Sequence, residues 1–295
     1  MSGAGRIFGT LASMSGSYWK QVHAAGLAVP ADRPLDDLTA ELTRMLGDPD
    51  PELRDATAYP TLMTWVGRGV YDDLLPGLGD GMAAGLGVGI GEAEGDGVFR
   101  RSFSALVLGE CIARDNQRPL VPGGKVLEWG DRLATWLLRE RDLRGYVPGK
   151  GWAHAVAHGA DALGALADSQ HVQQPELTVL LDVVADRLVL PVDRLFTNGE
   201  PDRLAQAVMH VLRRDVVPLA VLEPWVARLV ATARTRSSYD DRDPHLVGGN
   251  AEAFLRALYL QLALGPQPPA VRSDLILVVV DALRATNPQY LAPRA

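Results

Sequence analysis

From Leu35 to Ala285 the apolar residues of this chain recur at intervals of three and four, and convincing two-residue alternation is absent. That spacing lays one apolar stripe along each of a series of helices and leaves no half-buried strand to start a sheet. "LDDLTAELTRMLG" shows the pattern, with Leu35, Leu38, Leu42, Met45 and Leu46 on one side. Further helices are expected over 98–115, 125–141, 152–168, 176–189, 201–213, 218–234, 247–264 and 271–285. The run "DLILVVVDALRA" has a β-branched centre that suits a strand, but its length and trailing "DALRA" favour a buried helix.

Connections between these segments are short and marked by Pro or Gly, as in stacked helical hairpins. "LGDPDPELRDATAYPTL" reads as the turn and second helix of a HEAT-type repeat: Asp48, Pro49, Asp50 and Pro51 cap the start, and Pro60 should kink or divide the helix. The expected fold is all-α, an α-solenoid of HEAT-like stacked helical hairpins forming a curved double layer. No clean period of about 40 residues runs through the chain, so the repeats would be degenerate. Residues 35–286 then form a single helical-repeat domain, preceded by a partly ordered segment over 1–34 and followed by a tail over 287–295.

Composition narrows the function classes. The 36 acidic against 29 basic residues give a net charge of −7, which argues against a nucleic-acid surface. Cys111 is the single cysteine, so neither an internal disulfide nor a thiolate zinc site can form, and its apolar helical setting suggests an inert buried thiol. The opening "MSGAGRIFGTLASMSGS" lacks a secretory signal's basic start and long apolar stretch, and no apolar run could span a bilayer. A soluble cytoplasmic protein that binds neither membrane nor nucleic acid is expected. The glycine-rich stretch over 77–97 superficially suggests a dinucleotide loop, and Gly79, Gly81 and Ala84 match its looser form. No strand precedes it, so a flexible connection or a glycine-weakened helix is the better reading.

The most suspicious surface is "GKGWAHAVAHGADALGALADS". His154, His158 and Asp161 stand at i, i+4 and i+7 and fall along one helical face, flanked by Ala157, Ala162 and Gly164, with Trp152 able to wall one end. Three readings stay open. The three side chains could ligate a divalent metal, a cofactor that is possible but not favoured. Asp161 could orient His158 as a general base, with His154 beside it. Or the line could be a polar seam hydrogen-bonded to neighbouring helices. Upstream, "RDLRGYVPGKGW" brings Arg141, Arg144 and Lys150 towards a helix start, where free amides and cations could hold a phosphate or carboxylate. Weaker clusters are His210, the set Asn250, Arg256 and Tyr259, and the set Arg101, Ser102, Glu110 and Asp115. No nucleophile-elbow context accompanies any serine there.

The pieces "PELRDATAY", "VFRRSFSALVL", "DLRGYVPGKGWAHAVAHGADAL", "GEPDRLAQAV" and "NAEAFLRALYLQL" together resemble the bacterial domain-of-unknown-function family 2785, over about Leu35 to Leu264. The resemblance implies an all-helical, HEAT-like bacterial protein and no activity. The residues lead to a binding module whose concave face, centred on His154, His158 and Asp161, takes a small anionic molecule or a peptide, with Arg144, Lys150 and Trp152 as ligand contacts. The alternatives are an enzyme using the same helix for acid–base or metal chemistry, and an interaction scaffold with the histidine line buried. Oligomeric state is not legible in the residues.

Overall fold

The computed structural model describes residues 17–234 and 243–291. The segment read for a secretory signal lies outside them up to residue 16, as do the last four residues of the tail. After a helical stretch over 17–24, the long elements are α1 (Leu35–Met45), a composite α2 (Pro51–Leu53, Arg54–Ala58 and Tyr59–Gly67), α3 (Leu75–Gly85), α4 (Gly97–Gln117) and α5 (Gly123–Arg139). Then come the two-residue strands β1 (Tyr146–Val147) and β2 (Gly151–Trp152), α6 (Ala155–Ala167), α7 (Gln174–Val189), α8 (Glu200–Arg213), α9 (Leu219–Arg234), α10 (Pro244–Leu264) and α11 (Arg272–Thr286). The described residues are mostly helical, an all-α chain. The β-branched run is helical as expected: α11 buries Leu275, Val279, Ala282 and Leu283.

Helix packing follows chain order with a stride of two. Helices α2, α4, α6, α8 and α10 each pack on the next of that set, while α3, α5, α7, α9 and α11 do the same beside them. Each stripe of apolar residues is thereby buried between the two sets, with Phe99, Phe103, Trp129, Leu133, Leu163, Leu212 and Phe254 among the buried side chains. The stretch over 17–24 adds Trp19, which packs against Trp65 at 6.2 Å between ring centroids. Part of the N-terminal segment therefore belongs to the core. Cys111 is fully buried, and burial pushes its thiol up, as an inert packing residue requires. No helix among the described residues is long and apolar enough to cross a membrane.

Local chemistry accounts for three features that position the site. Asp48 and Asp50 cap the start of α2, accepting the N–H groups of Asp50 and Glu52, each at 2.9 Å. Pro60 lacks an N–H and its ring crowds the carbonyl four residues back, so α2 widens to a π turn over Arg54–Ala58 immediately before it. Where the sequence suggested a kink, the helix absorbs the proline by adding one residue to the turn. The third feature is the hairpin. Val147 C=O accepts Lys150 N–H at 3.0 Å across Pro148 and Gly149, and Gly149 has φ 76°. Proline followed by a left-handed glycine is the type II turn, so the segment expected to open a helix at 152 instead folds back as β1–β2.

Candidate functional site

Four helices of one packed row, together with the hairpin, build a cavity of about 580 Å³. The π turn of α2 contributes Asp55 and the residue after that turn is Tyr59, α4 contributes Phe103, Leu106 and Glu110, the hairpin and α6 contribute Trp152, His154, His158 and Asp161, and α8 contributes Arg203. Helices α4 and α6 approach closely because Gly109 faces Ala162: a Cβ there would lie 3.1 Å from the Ala162 Cα. That contact sets Glu110, the next residue, beside Asp161.

His158 is buried and neutral. Burial drives its pKa down from 6.5 to about 3, and the neighbouring His154 and Arg203 act in the same direction. Its Nδ1 lies 3.0 Å from Ser102 Oγ, and Ser102 gives its only proton to the Ala153 carbonyl in a short hydrogen bond. Ser102 Oγ must therefore accept from His158, which fixes the proton on Nδ1. Nε2 is left as a bare lone pair with no protein partner among the described residues.

His154 departs from the expected helical line. It is the residue before α6, held in the left-handed region at φ 48°, a conformation seldom adopted outside glycine and concentrated at functional sites. Its N–H donates to Arg144 C=O at 3.1 Å, tying it to the far side of the hairpin. Trp152 stacks on its ring at 4.3 Å, and the His158 ring stands edge-on at 5.8 Å. Its Nε2–H donates to the Asn198 carbonyl at 3.2 Å, and burial lowers its pKa, so it too is neutral at pH 7. Trp152 remains 41 % exposed at the rim, with Tyr146 edge-on to it.

The carboxylates divide by partner. Asp161 is gripped by both Nε and Nη2 of Arg203, with the Nε bond at 2.6 Å, so it does not orient His158; Ser102 does that instead. Asp55 is paired with Arg54 at 2.7 Å. Arg54 itself is fully buried over the Phe99 ring and also donates to the Asp48 and Lys150 carbonyls. Glu110 has no ion pair among the described residues; it accepts the Tyr59 hydroxyl at 2.9 Å. Burial raises all three carboxyl pKa values, and the Asp161 charge adds to the rise at Glu110.

Several expected contacts fall elsewhere. Arg144 is held by Asp142 and by the Gly95 carbonyl, and Lys150 pairs with Asp96 at 2.6 Å. Neither lines the cavity. Among the described residues no three His, Cys, Asp or Glu side chains form a metal-holding group, so His154, His158 and Asp161 are not brought together as ligands. His210 pairs with Asp168 at 2.8 Å, Asn250 accepts the Phe196 N–H, and Arg256 bonds Glu252 and Asn287. Glu110 and Ser102 are more central to the site than their sequence setting suggests. Their signal was present, since Ser102, Leu106 and Glu110 repeat every four residues on an apolar helix. Asp55, Tyr59 and Arg203 carried no comparable local signal.

A family model described as "Protein of unknown function (DUF2785)" matches residues 86–260. The match takes in every cavity residue except Asp55 and Tyr59. No curated protein and no solved structure matches the chain.

Proposed function

The chain belongs to the DUF2785 family, whose description assigns no activity, and on that premise we propose that it is a binding protein for a small ligand rich in hydrogen-bond donors. The observation that carries the reading is an imbalance of polar groups in the 580 Å³ cavity. Several donors there are engaged within the protein: Arg203 Nε and Nη2 on Asp161, the Tyr59 hydroxyl on Glu110, and His154 Nε2–H on Asn198. Acceptors remain, namely the Glu110 carboxylate and the bare His158 Nε2, and a buried acceptor favours a ligand that brings its own N–H or O–H.

Charge points the same way. Of the three carboxylates in the lining, Asp55 is paired with Arg54 and Asp161 with Arg203, while Glu110 has no ion pair among the described residues, and both histidines are neutral at pH 7. An amine or a polyhydroxylated molecule suits this cavity better than the anion suggested by Arg144 and Lys150, which are engaged elsewhere. Trp152 and Tyr146 at the rim offer aromatic surface to a cation or to the flat face of a ring. As to architecture, the succession of alternate helices in two rows supports reading the domain as a degenerate HEAT-like α-solenoid, with the cavity on one row.

The test is a thermal-shift screen at pH 7 of matched amines, polyols and dicarboxylates against the wild type and Glu110→Gln. The reading requires donors to raise the melting temperature and Glu110→Gln to lose that response. A response confined to dicarboxylates contradicts it. One observation favours an enzymatic reading as second choice: Glu110 and Asp161 share the cavity with pKa values raised by burial, an arrangement that suits a carboxyl group acting as general acid. A Glu110→Gln protein that binds a ligand unchanged but fails to turn it over would select that reading.

A further inference from the structure

A second cavity, of about 740 Å³, opens between the C-terminal ends of α5 and α7 and the start of α10. Leu138, Glu140, Arg141, Arg187, Leu190 and Val192 are among its walls. Arg187 is 2 % exposed. Its Nη1 donates to the carbonyls of Leu137 and Glu140, at 3.2 and 3.1 Å, and so caps the end of α5. The rest of the guanidinium is unspent: Nε is buried without a partner, and Nη2 makes no hydrogen bond among the described residues.

Local charge is unbalanced as well. Arg101, Glu140 and Arg187 are all buried, two cations to one anion. Glu140 is fully committed, taking Arg101 Nε at 2.6 Å and Nη2 at 2.9 Å, the Trp136 indole N–H at 3.0 Å, and the Arg141 and Asp142 backbone N–H groups at 3.0 Å. Among the described residues, the carboxylates at the cavity rim do not close the gap. Asp243 caps α10 through the His245 N–H, and Asp193 faces Arg194 at 3.7 Å and is largely exposed. Burial lowers the Arg187 pKa, to about 10, against the opposing pull of the Glu140 charge.

We infer that this cavity binds a small oxyanion, a phosphate or a carboxylate, two of whose oxygens engage the free Nε–Nη2 edge of Arg187. That edge presents two parallel N–H donors, the geometry that takes such groups bidentately. The carbonyls of α5 offset part of the charge but occupy a single nitrogen. The inference is independent of the cavity built around His158.

The test titrates the full chain separately with inorganic phosphate and with acetate, against chloride at matched ionic strength, reading melting temperature and the Arg187 Nε–H resonance. The expected result is a saturable rise in melting temperature with phosphate, acetate or both, absent with chloride, and a shift of the Arg187 Nε–H signal at the same midpoint. Whichever anion responds identifies the class. Arg187→Lys keeps the charge and loses the fork, so it should lose the saturable response; should that variant fail to fold, the wild-type resonance decides alone. A rise that chloride reproduces, or a saturable rise without movement of the Arg187 signal, overturns the assignment.

Discussion

Acid should unfold this protein partly through His158, and the size of the effect follows from its burial. The folded pKa of about 3 lies below the ordinary 6.5, so the unfolded chain binds the proton first. Stability from this group is therefore complete above pH 6.5 and is lost as pH falls towards 3. Each pH unit in that window is worth about 1.4 kcal/mol, so between pH 7.5 and about 4.5 the loss should approach ~2.7 kcal/mol. Carboxylates act with the opposite sign. Asp55, Glu110 and Asp161 have raised folded values, so protonating them as pH falls relieves buried charge and favours the fold. The total acid response mixes both, and a difference isolates His158. His158→Asn keeps a polar atom near the Nδ1 position for Ser102 and removes the titrating ring. Urea unfolding of both proteins across that pH range should show the stability gap between wild type and variant shrinking by about 2–3 kcal/mol. A gap that stays constant refutes the reasoning, because His158 would then titrate alike in the folded and unfolded chain.

Other consequences are equally open to measurement. Glu140→Gln leaves the buried guanidinium of Arg101 without its carboxylate and should cost about 3–5 kcal/mol, a fall of roughly 6–15 °C in melting temperature by calorimetry. Gly109→Val drives side-chain atoms into the α6 backbone at Ala162 and should cost about 1–3 kcal/mol by denaturant unfolding, with loss of any ligand response in the His158 cavity. Ser102→Ala removes the partner of His158 Nδ1 and should cost about 1–3 kcal/mol, with a change of tautomer visible by NMR.

The helical architecture was legible because it is local: apolar spacing places the expected helices, an Asp–Pro cap marks the start of α2, and observed ends differ from expectation by only a few residues. The helix with His158 and Asp161 was also found. Its partners were not, because they depend on which helices become neighbours. Arg203 takes Asp161 from another helix, and Ser102 reaches His158 from α4, across sequence separations of 42 and 56 residues. Spacing alone suggested an aspartate orienting a histidine, whereas packing gave that aspartate an arginine. The same gap hides the hairpin: a helix expected from 152 leaves no place for the "VPGK" turn, nor for the true partners of Arg144 and Lys150. A π turn forced by Pro60 carried Asp55 and Tyr59 into the site, and nothing in the periodicity marks a turn with one extra residue.

The ligand reading rests on where one proton sits. Nitrogen-15 NMR of the histidine rings at pH 7 measures it directly. His158 should show a protonated Nδ1 and a bare Nε2, with the Nε2 signal moving when a donor-rich ligand binds. A proton on Nε2, or an imidazolium, would turn that wall of the cavity from acceptor to donor and contradict the account.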